Sequence, residues 1–259
     1  VRIITAVLLV ATFFAALLWR PALVFLAVAV FLLAAGEFYT ALMQRGYQPL
    51  AIFGFIGILA ASIGTTLWGV IAIPISIAIT ATLLLLFFGV VPGRRRPLTN
   101  FSVTILVLVW IGALGSFAFD IFGSDDYRTL VIAAVLAVAI VDIAQYFAGR
   151  AFGRHQLAPV VSPKKTIEGL IGGVVVALLI GAVLHFFPPF DLASGLAFGA
   201  IVAVFAPMGD LAVSTVKRSL DVKDMGTVLP GHGGLLDRID GLMFVIPAAW
   251  VLFEWLGYL

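Results

Sequence analysis

Residues 69–90 read GVIAIPISIAITATLLLLFFGV, a run without a single charged side chain. An α-helix needs about 20 mostly apolar residues to cross the hydrocarbon core of a bilayer. Comparable apolar runs, separated by charge, Pro or Gly, fill most of the chain. This pattern predicts an all-α, polytopic integral membrane protein. A β-barrel would instead show alternating apolar and polar residues along its strands.

The composition excludes a soluble globular protein. The 259 residues are 63% hydrophobic and 11% charged, whereas soluble domains are about 45–50% apolar and about 25% charged. The absence of cysteine excludes disulfides and thiolate metal sites. The first apolar run has no convincing small-residue cleavage site, so we expect a retained span. We find no repeat or linker, which predicts one membrane-embedded domain over residues 1–259.

The apolar runs predict about nine transmembrane helices. Tight turns are expected around Arg20-Pro21 and Trp68-Gly69, and Pro188-Pro189 interrupts the chain between the seventh and eighth spans. The predicted spans are residues 3–18, 21–43, 50–67, 69–90, 101–122, 129–149, 167–186, 192–212 and 239–257.

Basic residues predict the orientation of these spans. With nine spans, 13 of the 15 Lys and Arg fall on the face that carries the N-terminus, and only Arg20 and Arg128 fall on the other. Because Lys and Arg accumulate in cytoplasmic loops, we expect a cytoplasmic N-terminus. The 13 residues are Arg2, Arg45, Arg94, Arg95, Arg96, Arg150, Arg154, Lys164, Lys165, Lys217, Arg218, Lys223 and Arg238.

Charge is concentrated in residues 214–240, which read STVKRSLDVKDMGTVLPGHGGLLDRID. If the eighth span continues as a helix, offsets of 4, 7 and 8 from Asp210 place a hydroxyl and two cations near one face with its carboxylate. The Gly-rich residues 221–234 cannot form a regular helix. Asp237 and Asp240 then share a face at the start of the last span.

Carboxylates gathered beside cations at a membrane surface suit phosphate chemistry. Carboxylate oxygens bind Mg²⁺, which usually bridges substrate phosphates, and Lys and Arg neutralise the remaining phosphate charge. Phosphoryl and nucleotidyl transfer depend mainly on positioning and charge neutralisation. The alternative is an interfacial loop anchored by salt bridges. A loop of that kind does not require Gly-Gly beside a histidine or two aspartates at helical spacing next to apolar sequence.

A second polar cluster surrounds Asp142, which lies within the sixth span with Gln145 and Tyr146 at offsets of 3 and 4. An ionisable residue inside a span usually faces a partner or a watery cavity. Asp142 is therefore either part of the site or a helix–helix hydrogen-bonding residue. Glu37, late in the second span, is open to the same two interpretations.

Residues 162–169 read SPKKTIEG and predict a helix entry, because Pro163 and Thr166 precede an apolar run. Lys164 and Lys165 could receive a phosphate at that helix N-terminus. Alternatively, these two lysines only set the membrane topology.

These two motifs resemble those of the phosphatidate cytidylyltransferase (CDP-diacylglycerol synthase) family. The longer motif has a Ser, then Lys-Arg, Lys-Asp, His-Gly-Gly and Asp-Arg-hydrophobic-Asp, and the second is SPKKTIEG. The resemblance implies transfer of the cytidylyl group from CTP to phosphatidic acid, giving CDP-diacylglycerol and pyrophosphate. It also implies Mg²⁺, a second metal ion in some members, and a homodimer without a nucleic-acid partner.

The resemblance also implies a role for each motif residue. The candidate catalytic residues are Asp210, Ser214, Lys217, Arg218, Lys223, Asp224, Asp237, Arg238 and Asp240. The candidate substrate-binding residues are Lys164, Lys165, Thr166, His232, Gly233 and Gly234. The candidate metal ligands are Asp210, Asp237 and Asp240, followed by Asp142.

Other functions predict different features. A CTP-dependent polyprenol or dolichol kinase would transfer the γ-phosphoryl group and release CDP instead of pyrophosphate. A transporter would carry charges deep in several spans or broken helices in matching halves. A CDP-alcohol phosphotransferase would show a long Asp-Gly-x-x-Ala-Arg pattern, which is absent. We therefore expect an enzyme of a bacterial inner (cell) membrane with its active site on the cytoplasmic face.

Overall fold

The computed structural model describes residues 2–91, 96–228 and 233–259, and within them the chain is all-α apart from one short hairpin. The predicted fold class is therefore confirmed. The helices are α1 Arg2–Leu17, α2 Arg20–Gln44, α3 Ala51–Trp68, α4 Ala72–Val90, α5 Pro97–Ile121, α6 Tyr127–Phe152, α7 Ile167–Leu184, α8 Leu192–Ser219 and α9 Leu236–Leu256.

Eight of the described helices, α2 to α9, are long and apolar enough to cross a membrane. Helix α1 has 16 residues, which corresponds to about 24 Å of helix, against about 30 Å of hydrocarbon core. Most predicted bounds agree with the structure within a few residues. Helix α8 continues to Ser219, well beyond the predicted end of the span, as expected for a helix that carries the basic pair Lys217 and Arg218 out of the apolar region.

The chain divides into two compact units. Unit 1 comprises Val1–Phe122 and Val222–Arg238, and unit 2 comprises Gly123–Asp221 and Ile239–Leu259. The single domain expected over the whole chain remains a prediction.

In unit 1, aromatic side chains of α2 pack on α5. The Tyr39 hydroxyl donates to the Thr104 carbonyl at 3.1 Å, and Phe38 makes an edge contact with Trp110. Phe38 and Tyr39 are each 1% exposed. A π-helical turn, Leu108–Ala113, lies within α5 beside these contacts. Helix α2 is therefore anchored to α5 immediately after its acidic residue, Glu37.

In unit 2, small residues allow helices to approach closely. The buried positions of α7 are Gly169, Gly173, Ala177 and Gly181, spaced by four residues along one face. A Cβ placed on Gly181 would collide with the backbone of α8 at Gly195. Lipid provides no hydrophobic driving force for helix association, so transmembrane helices depend on close packing. Small residues at the interface allow that packing.

A two-stranded hairpin precedes α7 in unit 2. Strands β1 (Gln156–Ala158) and β2 (Ser162–Thr166) pair antiparallel, with Gln156 opposite Thr166. The predicted helix entry is confirmed, because the Thr166 side chain caps α7 by accepting the Gly169 N–H at 3.1 Å. Lys164 and Lys165 thus lie on a strand immediately before the helix.

Candidate functional site

Helices α8 and α9 meet in unit 2 at a pair of glycines. A Cβ on Gly209 would lie 2.8 Å from the Gly241 Cα and would also collide with the Asp240 backbone. Because neither position carries a side chain, the two helices can cross closely. Asp210 directly follows one of these glycines and Asp240 directly precedes the other. The crossing therefore brings these two acidic positions to the same place in unit 2.

The carboxylates near this crossing interact electrostatically. Asp240 is 7% exposed, and its charge interacts with those of Asp210, Asp142 and Lys217. Asp142 in turn interacts with Asp210 and Lys165. Carboxylates that face one another disfavour joint ionisation unless a cation is close by. The cluster is therefore built to hold positive charge.

Lys165 supplies such a charge from strand β2. Its ammonium group forms an ion pair with the Asp210 Oδ2 atom. The Ser214 hydroxyl lies on the other side of this carboxylate and donates to Oδ1 over a long 3.5 Å. Asp142, Lys165, Asp210, Ser214 and Asp240, all of them candidate site residues from the sequence, are thus brought together in unit 2.

The remaining predicted residues of unit 2 lie on α8 and around the hairpin. The Arg218 Nε–H donates to the Val161 carbonyl at 3.1 Å, which joins the end of α8 to the β1–β2 turn. Lys164 is exposed on β2. Thr166, predicted as a substrate-binding residue, caps α7. Basic groups therefore lie on the same unit as the acidic cluster.

The loop between α8 and α9, together with the first turn of α9, carries the predicted residues of unit 1. Lys223, Asp224 and Arg238 are exposed. The Asp237 Oδ2 atom accepts the Met225 N–H at 2.9 Å, so this carboxylate orders the loop. Gly233 adopts a φ of 83°, which favours glycine. The predicted residue His232 lies outside the described residues.

Gly234, also predicted, packs tightly in unit 1. A Cβ there would lie 2.7 Å from the Asp237 Oδ2 atom and 2.9 Å from the Gly226 nitrogen. The loop backbone therefore folds directly onto the first turn of α9.

Glu37, whose role the sequence left open, belongs to this loop region. It is 5% exposed, and its carboxylate accepts the Val228 N–H at 3.2 Å and the Leu236 N–H at 3.0 Å. The signal for such a role was an acidic residue inside an apolar span. Its partners were not predictable, since they lie 191 and 199 residues away along the chain.

No group of three or more His, Asp or Glu residues in the described part of the chain forms a ready-made metal site. Mg²⁺ usually takes only one or two carboxylates and completes its shell with waters and substrate phosphates. Asp210 and Asp240 offer a donor pair of that kind in unit 2, so the residues present fit the ion. Ligation of a metal ion by Asp210, Asp240, Asp142 or Asp237 remains a prediction from the sequence.

Comparison with known proteins identifies the family of this chain. The model of the cytidylyltransferase family matches residues 1–256. The chain belongs to this family. The match includes the acidic cluster of unit 2, the β1–β2 hairpin and the loop before α9.

Individual relatives of this cytidylyltransferase-family chain share one name. This chain is 38% identical over 171 residues to a phosphatidate cytidylyltransferase of Staphylococcus haemolyticus, and the match covers 65% of each chain. It is 35% identical over 179 residues to a phosphatidate cytidylyltransferase of Bacillus subtilis, covering 68% of this chain and 66% of the relative. A third relative of the same name, from Staphylococcus saprophyticus, is 34% identical over 171 residues. The matched regions thus span just under two thirds of these relatives' own lengths.

Proposed function

We propose that this protein transfers the cytidylyl group from CTP to phosphatidic acid, giving CDP-diacylglycerol and pyrophosphate. The family match over residues 1–256 carries the proposal. The names of the relatives supply the lipid substrate. The cluster of carboxylates and cations in unit 2 supplies chemistry suited to joining two phosphates.

The proposed reaction is an in-line displacement at the α-phosphorus of CTP. An oxygen of the lipid phosphate forms the new P–O bond, and the bond to the β-phosphate breaks as pyrophosphate leaves. The attacking phosphate is already ionised at neutral pH, so the reaction requires no general base. The main demand on the protein is to bring two anions together and to neutralise their charge.

The basic residues of unit 2 meet this demand. We assign phosphate binding to Lys165 and Lys217, which already interact with the acidic cluster, and to the exposed Lys164 on β2. Arg218 suits a phosphate contact because its planar guanidinium offers several N–H donors, only one of which is needed for Val161. A phosphate that binds Lys165 would compete with Asp210 for the ammonium group.

Magnesium completes the proposed site. Asp210 and Asp240 would hold the ion, which would neutralise phosphate charge and help to orient the leaving pyrophosphate. Without a cation, the negative charge of the carboxylates around Asp240 would repel the phosphates of CTP. A phosphate bound to Lys165 would leave Asp210 free to act as a ligand of the ion.

We further propose a cytoplasmic N-terminus and a cytoplasmic active site, in a bacterial inner membrane. The distribution of Lys and Arg supports this orientation, and it places the site where CTP is available. A homodimer is proposed from the family resemblance.

A labelling assay tests the activity. Purified protein would be incubated with CTP labelled at the α-phosphorus, phosphatidic acid and Mg²⁺, with a parallel reaction that uses CTP labelled at the γ-phosphorus. We expect α-label in the lipid fraction and γ-label in pyrophosphate. Label from the γ position in the lipid would indicate a lipid kinase instead, and no lipid label in either reaction would exclude both activities.

A further inference from the structure

Glu37 is the acidic side chain of α2 that contacts the loop before α9. Its two carboxylate oxygens accept different backbone donors, Oε1 from Val228 and Oε2 from Leu236. A buried carboxylate is costly unless it is hydrogen-bonded. Both oxygens of Glu37 meet that requirement through the loop, so the residue bridges two points that flank the Gly-rich segment.

One of these two donors belongs to a helix terminus. Leu236 is the first residue of α9, and the first N–H groups of a helix have no partner within it. A carboxylate at this position is also favoured by the helix dipole. Glu37 therefore caps α9 from another helix and fixes where α9 begins relative to α2.

The loop backbone is shaped to receive this carboxylate. A Cβ on Gly226 would collide with the Glu37 carboxyl group, and one on Gly234 would lie 3.1 Å from its Oε2 atom. Glycine at both positions lets the main chain lie against the side chain. The loop backbone at Gly226 and Gly234 and the Glu37 carboxylate therefore pack closely against each other.

Glu37 itself is held in place by its own helix. Its neighbours Phe38 and Tyr39 are almost fully buried and contact Trp110 and Thr104 of α5. The anchor is thus rigid, whereas the segment that it holds has no regular secondary structure over residues 222–228. A rigid anchor under an irregular loop defines the position of the loop.

We propose that Glu37 is a positioning residue for nucleotide binding, which acts by fixing residues 222–228 and 233–238 of the loop. The proposal rests on the proposed cytidylyltransferase function, because it takes this loop to bind CTP. Lys223 and Asp224 lie on the segment that Glu37 fixes, and both are exposed. Glu37 does not itself contact the nucleotide in this proposal.

The test compares Glu37→Gln with Glu37→Ala. Gln keeps the shape but presents one N–H₂ group to a backbone donor, so one of the two bonds is lost, and Ala loses both. Hydrogen bonds to charged groups are strong enough that we expect the KM for CTP to rise about tenfold in Gln and further in Ala. The KM for phosphatidic acid should change less than about twofold. Glu254→Gln, the same change at an exposed position of α9, is the matched control.

Amide hydrogen exchange provides a readout that does not depend on catalysis. In Glu37→Gln without substrate, at least one of the Val228 and Leu236 amides should exchange about tenfold faster than in the wild type, and in Glu37→Ala both should do so. Amides of α7 should not change. Adding CTP should slow exchange over residues 222–228 in the wild type, and the variant should need more CTP for the same protection.

The outcomes separate the two proposals. An inactive wild type whose loop is still protected by CTP would refute the proposed reaction, and the role of Glu37 would then be supported if Glu37→Gln needed more CTP for the same protection. An active wild type would refute that role if Glu37→Gln left both the KM for CTP and the two amides unchanged. Equal rises in the KM for CTP and for the lipid would also refute it, since they indicate general loss of structure. An unprotected wild-type loop in saturating CTP would refute it as well.

Discussion

The carboxylates of the two units differ in what they contact. In unit 1, Glu37 and Asp237 accept backbone N–H groups of the loop. In unit 2, Asp240 and Asp210 interact with other carboxylates and with cations, and Asp240 accepts in addition the N–H of its neighbour Gly241. Backbone donors satisfy a buried carboxylate permanently, whereas neighbouring carboxylates leave it in need of positive charge. The first arrangement builds structure, and the second is suited to binding a cation or a phosphate with its counterion.

This difference predicts opposite effects on stability. Removing a carboxylate that accepts backbone N–H groups leaves those donors unsatisfied and should destabilise the protein. Removing one that faces other carboxylates relieves repulsion and should leave stability unchanged or raise it. Functional sites often show this conflict between stability and activity. Substitutions at Asp240 and Asp237 should therefore differ in their effects on activity and on stability.

Asp240→Asn should have the largest effect on activity. Asn keeps the Oδ1 acceptor that binds the Gly241 N–H at 2.7 Å, so the local structure should survive. Loss of the negative charge should lower turnover at least about 100-fold, a size typical for loss of an electrostatic group at a reaction centre. Turnover would be measured with α-labelled CTP and the unfolding temperature in detergent.

We expect the unfolding temperature of Asp240→Asn to equal or exceed that of the wild type, because one of three repelling carboxylates is gone. Asp125→Asn, at an exposed position between α5 and α6, serves as the control and should change neither quantity. An Asp240→Asn variant with nearly normal turnover, or one that unfolds much earlier, would contradict the assignment of Asp240 to the reactive cluster.

Asp237→Asn should have a smaller effect, of a different kind. Asn retains one acceptor oxygen in place of two, which weakens the hold on the Met225 N–H. We expect a rise of about tenfold in the KM for CTP, together with faster exchange of the Met225 amide. Steady-state kinetics and exchange mass spectrometry measure the two effects. A large fall in kcat with unchanged exchange would instead support the metal-ligand role that the sequence predicted.

The sequence predicted the helices well because each one is a long apolar run. The hairpin was not predicted, since β2 is a short polar strand, Ser162–Thr166, whose partner provides only three residues. The chemistry around Asp210 was predicted from residue types, but its ion pair with Lys165 depends on that hairpin. The glycines beside Asp210 and Asp240 were a visible sign of a close crossing. The role of Glu37 could not be predicted from the sequence, because its hydrogen-bond partners are distant along the chain.

Asp191 provides a third arrangement, at the other end of the helix that carries Asp210. It precedes α8 and forms a capping box with Ser194, accepting the Ser194 N–H at 2.7 Å, while the Ser194 hydroxyl accepts the Asp191 N–H at 2.9 Å. The hydrogen bond from the Ser194 side chain, with that from its backbone, holds the pKa of Asp191 below its usual range. The ionised carboxylate is therefore the form that stabilises the fold.

The sign of the pH dependence follows from this lowered pKa. The stabilisation is fully present above the ordinary carboxyl pKa and is lost as the pH falls through the lowered value. Asn caps helices almost as well as Asp but does not titrate. Asp191→Asn should therefore lower the unfolding temperature by roughly 1–2 °C at neutral pH. Thermal unfolding of both proteins across the acid range would show this gap closing. A gap that stays constant would mean that the charge of Asp191 contributes nothing, and that its cap resembles the neutral one at Thr166.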